Sequence, residues 1–272
     1  MTVNALHNRL DALPRSERMP LLFLGHGNPM NAVEDNAWTA AWTRLGMELP
    51  RPQAVLCLSA HWLTEGVAVH TAAHPKTLHD FYGFPPELYA VRYGCPGAPT
   101  QAEAARELLR AEADTEWGLD HGSWSVLKRM YPDADVPVFQ VSLDVRKSDR
   151  EHFDLGAHLA ALRERGVLII GSGNLVHNLG RISFAPDAHP FDWAVEFDAL
   201  AAGRIAQGDY ESLIDYRALG TAAHLSVPTP DHYWPLLSVL GAARAAGANE
   251  KAQFPTEGIA LGSVSMRAVL IR

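Results

Sequence analysis

Residues 19–29, Met-Pro-Leu-Leu-Phe-Leu-Gly-His-Gly-Asn-Pro, decide how the rest of the chain is read. The apolar run Leu21-Leu22-Phe23-Leu24 stops at Gly25-His26-Gly27, where two glycines free the backbone to turn and expose the imidazole. The pattern returns in Val55-Leu56-Cys57-Leu58-Ser59-Ala60-His61-Trp62, and again in Val167-Leu168-Ile169-Ile170-Gly171-Ser172-Gly173-Asn174, which leads to His177. Strands that are apolar throughout belong to a parallel sheet covered on both faces, and such sheets collect ligands outside the carboxyl ends of their strands. The expected fold is therefore α/β, a single domain over residues 1–272 whose central, mostly parallel sheet is flanked by helices. His26, His61 and His177 should each lie just past a strand end and meet at one rim. A single histidine in such a place is most simply a hydrogen-bonded loop residue; three at equivalent places point to a metal, because neutral imidazole ligates both zinc and iron.

Between these runs the pattern turns helical. Trp38, Trp42, Leu45 and Leu49 share one helix face over residues 36–49, and Pro50 and Pro52 end it. Thr100, with Glu103 three residues on, predicts a capped helix start, and Ser123 predicts another, which puts His121 on the turn before a helix and within reach of Asp120. Residues 136–143 read as a strand, 153–165 as a helix, and 192–205 as a helix with Glu196 and Asp198 on its solvated side. Residues 210–219 read as a shorter helix. In residues 228–235 prolines brace a turn around Asp231 and His232 ahead of an apolar helix, and 258–271 close the chain as a strand or strand pair. Residues 66–97 break the pattern: after a short alternating stretch comes a long loop rich in aromatics, proline and glycine. Its centre, Asp80-Phe81-Tyr82-Gly83-Phe84-Pro85, either covers a flat ring in a pocket or is an excursion stapled down by its own aromatics. His7, His70, His74, His79, His152, His158, His189 and His224 have no strand-end context and are expected on the surface or in the core.

Composition excludes several classes. A net charge of -8 with 23 Lys+Arg, and no basic stripe, gives no footprint for nucleic acid. Leu6, Leu10 and Leu13 make only a short helical pattern at the amino terminus, and no run approaches the ~18 apolar residues of a membrane span. Two cysteines, Cys57 inside an apolar run and Cys95, form neither a disulfide framework nor a metal-site spacing, which suits a reducing, cytoplasmic setting. A hydrophobic fraction of 47% over 272 residues is enough for one sizeable core, in a monomer or a homodimer.

Five motifs in order, LGHGNPMNA, SAHW, DHGSW, GSGNLVHNLG and PTPDHYWPLL, running from Leu24 to Leu237, resemble the 4,5-DOPA extradiol dioxygenase family of the class III, LigB-like ring-cleaving dioxygenases. The resemblance implies a mononuclear non-haem metal, nominally Fe(II), and O2-dependent opening of a catechol ring beside its hydroxyl pair to a muconic semialdehyde. It implies His26 and His61 as metal ligands, and His232 where the wider class has a glutamate ligand. It also implies His177 as an acid/base group close enough to the metal to count as a ligand, and His121 as a histidine that contacts substrate. An all-imidazole site also suits Zn(II), which has no redox chemistry. A zinc hydrolase using Asp231 or Glu34 as base, and a non-enzymatic metal-binding relative of the same fold, are the alternatives.

Overall fold

The computed structural model describes residues 8–185, 188–247 and 250–272; Leu6 and His7 lie outside the described residues. The strands are β1 (Leu21–Gly25), β2 (Ala54–Thr64), β3 (Ala68–His70), β4 (Glu112–Asp114), β5 (Val138–Asp144), β6 (Val167–Gly173), β7 (Ala252–Gln253), β8 (Ile259–Ala260), β9 (Val264–Ser265) and β10 (Ala268–Ile271). The longer helices are α1 (Ala37–Glu48), α2 (Pro99–Leu109), α3 (His121–Met130), α4 (Asp149–Leu159), α5 (Asp192–Gln207) and α6 (Trp234–Ala246).

Eight strands form one sheet in the order β4-β3-β5-β2-β6-β1-β10-β7. Its central four, β5, β2, β6 and β1, run parallel, whereas β10 is antiparallel to β1, β7 to β10, and β3 to β5. The apolar runs are these central strands. Successive side chains leave a strand on opposite faces, so each run divides between two cores. Leu21, Phe23, Leu56, Leu58, Ile169 and Val141 pack beneath α2, α4, α5 and α6, and Leu22, Leu24, Val55, Leu168, Ile170 and Val138 beneath α1 and α3.

Helix α6, which begins two residues after His232, is fixed against α4 at unusually close range. A Cβ placed on Gly156 would fall 1.7 Å from the Ser238 carbonyl oxygen, and one on Gly241 would fall 1.8 Å from that of Phe153. Only glycine on each helix lets the two backbones meet so closely.

Four sequence expectations change. Helix α2 starts at Pro99 with Ala98 as its cap, so Thr100 lies inside the first turn; proline with its fixed φ and no N–H suits that first position. The cap of α3 is Asp120, which accepts from the Ser123 N–H, so His121 is the helix's first residue rather than part of a preceding turn. Helix α4 starts at Asp149 under a Ser148–Glu151 capping box and continues through a 3-10 segment to Arg165. Asp198 is buried, accepting from Ser265 Oγ at 2.6 Å and Arg267 Nε at 3.0 Å. A helical face seen in isolation cannot reveal that a cation 69 residues downstream will fold onto it. Among the described residues no helix is long and apolar enough to cross a membrane.

Candidate metal centre

The parallel strands deliver their ends to one rim, as expected, although not every histidine arrives in the same way. His26 follows β1 directly, and its backbone N–H donates to the Gly173 carbonyl at 3.0 Å, extending the β1–β6 pairing by one residue. His61 lies inside β2 instead of after it. The step from Leu58 to Leu63 on β2 faces only the step from Val141 to Leu143 on β5, so Ser59–Trp62 bulges out of register and presents the ring at the rim. His232 arrives from the turn before α6. Its carbonyl accepts from the Asn174 N–H at 2.9 Å, and a Cβ on Gly173 would stand 2.2 Å from that same oxygen, so the glycine at the end of β6 admits the turn. His177 comes four residues after β6, donating its backbone N–H to the Ser226 carbonyl at 2.8 Å.

Ligand nitrogens of His26, His61 and His232 all lie within 4.8 Å of one another, and His26 Nε2 stands 3.3 Å from His61 Nε2. The polar neighbours select which nitrogen faces inward. The Ser172 hydroxyl donates to the Gly122 carbonyl and accepts at 3.0 Å from His26 Nδ1–H, which leaves the His26 Nε2 lone pair free. His232 Nδ1–H donates to Asp231 Oδ2, which likewise frees Nε2. A carboxylate or hydroxyl behind each imidazole fixes tautomer and ring orientation, as metal-ligating histidines require. Burial, followed by the neighbouring His232, His121 and His177 rings, holds His26 well below the usual histidine range; burial followed by His121, His232, His26 and His177 does the same for His61. Both rings are therefore neutral, as donors to a metal must be.

His121 and His177 flank this cluster. The Asp80 carboxylate accepts from the His121 backbone N–H at 2.8 Å and from its ring Nδ1–H at 2.9 Å, leaving Nε2 toward the cavity. The sequence pointed to Asp120 for this role; Asp120 caps the helix and bonds Ser59 instead. Burial would raise the Asp80 carboxyl, but the bonds from His121 outweigh it and hold the group below its ordinary value. The His177 ring stacks on His232 with centroids 3.5 Å apart and planes within 9°, and its ligand atoms group with Asp231 and His232 rather than with His26 and His61. Burial and the adjacent His232 push His177 down to about 3, so the ligand-free ring is neutral at physiological pH.

A cavity of about 560 Å³ opens above the histidines, walled by Phe81–Phe84 on one side and by Leu179, Ile182, Phe184, Leu261 and Val264 on the other. The aromatic loop is thus a wall of the site and is also packed on itself, with Phe81 5.3 Å from Phe84 and 5.2 Å from Tyr89. A larger groove, about 730 Å³, runs past Leu10, Leu108 and Leu155; no ligand cluster found among the described residues lies in it. Glu34 does not line the histidine cavity, and Asp231 is engaged by His232, so neither acid stands ready as the base of a zinc hydrolase.

Residues 23–265 match the family described as the catalytic LigB subunit of aromatic ring-opening dioxygenase. The chain belongs to this family. Within it, the 4,5-DOPA dioxygenase extradiol of Escherichia coli K12 is 47% identical over 270 residues, covering 96% of this chain and 97% of that one. The protein of the same name from Beta vulgaris is 36% identical, with 85% and 88% covered. The crystal structure of the uncharacterized protein JW3007 from E. coli K12 superposes with a TM-score of 0.81 at 44% identity, covering 94% of this chain and all of that one. The chain is accordingly an aromatic ring-opening dioxygenase whose clustered histidines can coordinate a non-haem metal ion.

Asp80, Ser172 and Asp231 are the site residues whose roles sequence reasoning missed. Asp231 was visible beside His232, although as a candidate base. Asp80 and Ser172 carry no local signal: they stand 41 and 146 positions from the rings they orient.

Proposed function

We propose that His26, His61 and His232 hold one metal ion, Fe(II) in the active enzyme, and that a catechol occupies the cavity above it. The reading is carried by one observation: three imidazole nitrogens converge on the cavity floor, and two of those rings are oriented by a hydrogen bond at the opposite nitrogen. The enzyme is an extradiol dioxygenase acting on an aromatic diol, and the names of its relatives point to a DOPA-like catechol. Such opening breaks the ring carbon–carbon bond beside the hydroxyl pair and places both atoms of O2 in the product, a muconic semialdehyde. A redox-active metal at these nitrogens supplies the charge that holds the deprotonated diol and the electron path to O2; Zn(II) fits the same donors but supplies only the charge.

The protein's own part is orientation and proton transfer. His177, as a neutral ring, and His121 both face the cavity in proton-transfer positions. His177, held at about 3 in the free site, gains basicity when a catecholate brings negative charge beside it. His121, held by Asp80 through Nδ1, keeps Nε2 available to accept a proton and return it as the ring opens. The stacked placement of His177 on His232, and its grouping with Asp231 and His232 rather than with His26 and His61, supports an acid/base role over permanent ligation.

The match over residues 23–265 supports one catalytic unit, and two buried, unpaired cysteines suit a cytoplasmic setting. The test is anaerobic reconstitution with Fe(II), addition of a catechol panel, and admission of air. A yellow semialdehyde is expected; an iron-loaded protein that opens none of the diols would sink the proposal.

A further inference from the structure

Of the three rings that converge on the cavity floor, His61 alone has no hydrogen bond at the nitrogen turned away from the others. A hydroxyl stands behind His26 and a carboxylate behind His232. The backbone N–H of His61 reaches Ser59 Oγ at 3.3 Å, and its Nε2 lies 3.3 Å from His26 Nε2. Its Nδ1 faces a carboxylate oxygen, Asp80 Oδ2, at 3.7 Å.

That oxygen already serves His121. Asp80 Oδ1 accepts from the His121 backbone N–H and Oδ2 from the ring Nδ1–H, while the His61 and His121 rings lie side by side with centroids 3.9 Å apart. A carboxylate oxygen carries two lone pairs, so Oδ2 can face two N–H groups at once. Asp80 belongs to an exposed stretch of the aromatic loop, yet its side chain is only 19% exposed, turned from water toward the two imidazoles.

A separation of 3.7 Å is too long for a hydrogen bond, but the carboxylate charge acts across it. Neutral His61 carries one ring proton. On Nε2, that proton would point toward His26 and leave an Nδ1 lone pair facing an anion. On Nδ1, it faces the anion and frees the Nε2 lone pair for the space shared with the other ligand nitrogens. The carboxylate favours the second tautomer, which is the one a metal ligand needs.

We propose that Asp80 is a positioning residue for both halves of the site: one oxygen sets the tautomer of a metal ligand, His61, and of a proton-transfer ring, His121. The proposal rests on the roles given above to those two histidines and supplies the partner that His61 otherwise lacks. Phe81 to Phe84 follow Asp80 directly and wall the cavity, so the same side chain ties that wall to the floor.

Asp80→Asn keeps the shape and removes the charge. Its amide oxygen stays with the His121 backbone N–H, which can only donate, so its NH2 group faces both rings and each must turn a lone pair toward it. In the metal-free protein at pH 7, long-range proton–nitrogen NMR should find His61 protonated at Nδ1 in the unaltered chain and at Nε2 in Asp80→Asn. Zn(II) affinity, measured by competition with a chelator, should fall by about 10- to 100-fold in Asp80→Asn. It should recover in part in Asp80→Glu and stay unchanged in Phe84→Ala, which alters the wall and leaves the carboxylate. The loss should persist when Asp80→Asn is combined with His121→Gln, because His61 senses Asp80 directly. On the Fe(II)-loaded enzyme kcat should fall by about 10²-fold or more, with a smaller change in KM. His61 protonated at Nε2 in the unaltered protein would overturn the proposal, and that measurement decides even if Asp80→Asn does not fold. Unchanged Zn(II) affinity in Asp80→Asn would also overturn it, as would a loss that vanishes in the His121→Gln background. If the histidines bind no metal, the reading of the site as a metal centre fails, and the tautomers in the metal-free protein still decide what Asp80 does.

Discussion

The floor and the mouth of one cavity are built on opposite rules. On the floor, each of three rings is held from behind by a specific partner: His26 by Ser172, His232 by Asp231, His121 by Asp80. Their backbones are tied to the ends of parallel strands or to the turn and helix packed against them. At the mouth, Tyr82, Leu179 and Phe184 project from loop and 3-10 segments and stand largely in water. Preorganised polar groups on rigid elements are what reaction chemistry needs, whereas an apolar wall on loops can vary without disturbing them. On the proposed reading the chemistry belongs to the floor, and the mouth serves only as the wall of the cavity above it.

The largest expected consequence of this division is at His177. His177→Gln should keep the metal and still bind catechol, yet lose about 10²- to 10⁴-fold in single-turnover rate. Iron stoichiometry and rapid-mixing kinetics on that variant read both halves. A metal-free variant would make His177 a ligand, and near-normal turnover would leave His121 as the proton-transfer group.

Support for the floor extends to a second layer. His152 is fully buried, stacks on Trp234 at 4.2 Å with neither ring nitrogen hydrogen-bonded, and so backs the start of the helix that follows His232. Burial lowers it from 6.5 to about 4, against the opposing pull of Asp144 and Asp149. The unfolded chain therefore takes up this proton first, and stability should fall as pH drops from about 6.5 to about 4, then level off. This single group accounts for about 3 kcal/mol across that window. Urea unfolding at pH 7 and pH 4 should show His152→Leu losing less stability than the unaltered protein by roughly that amount; equal losses would remove His152 from the account.

Next in size is Asp231→Asn, which should weaken metal binding by about 10- to 100-fold, the effect typical of losing a partner that orients a ligand. A competition titration with a chelator measures it, and unchanged affinity would mean that Asp231 does not orient His232. Smallest is the effect of the mouth on the fold: Tyr82→Ala should shift unfolding free energy by less than about 0.5 kcal/mol. A larger loss would return the aromatic loop to a structural role.

The same division governs what the sequence made legible. Apolar runs ending in Gly-His or leading to His report strand and rim together, because one local pattern specifies both, and so the central parallel sheet and the meeting of His26, His61 and His177 at its rim could be read directly, whereas His232, on a proline-braced turn before a helix, carries no such pattern. His61 inside β2 could not: no Gly or Pro marks a bulge that exists only relative to β5. Nor could the bond between Asp80 and His121, or the burial of Asp198 by Arg267, since each pairs residues that only the folded chain brings together.

The central claim, that one metal ion is held by His26, His61 and His232 and by nothing at the mouth, is tested most directly by metal content. His26→Ala, His61→Ala, His232→Ala and, as the contrast, Phe184→Ala would each be reconstituted anaerobically with Fe(II), desalted and assayed by mass spectrometry, with circular dichroism to confirm the fold. The unaltered protein and Phe184→Ala should carry about one metal ion per chain, and each histidine variant should retain little. Full occupancy in any two of the three histidine variants would contradict the account.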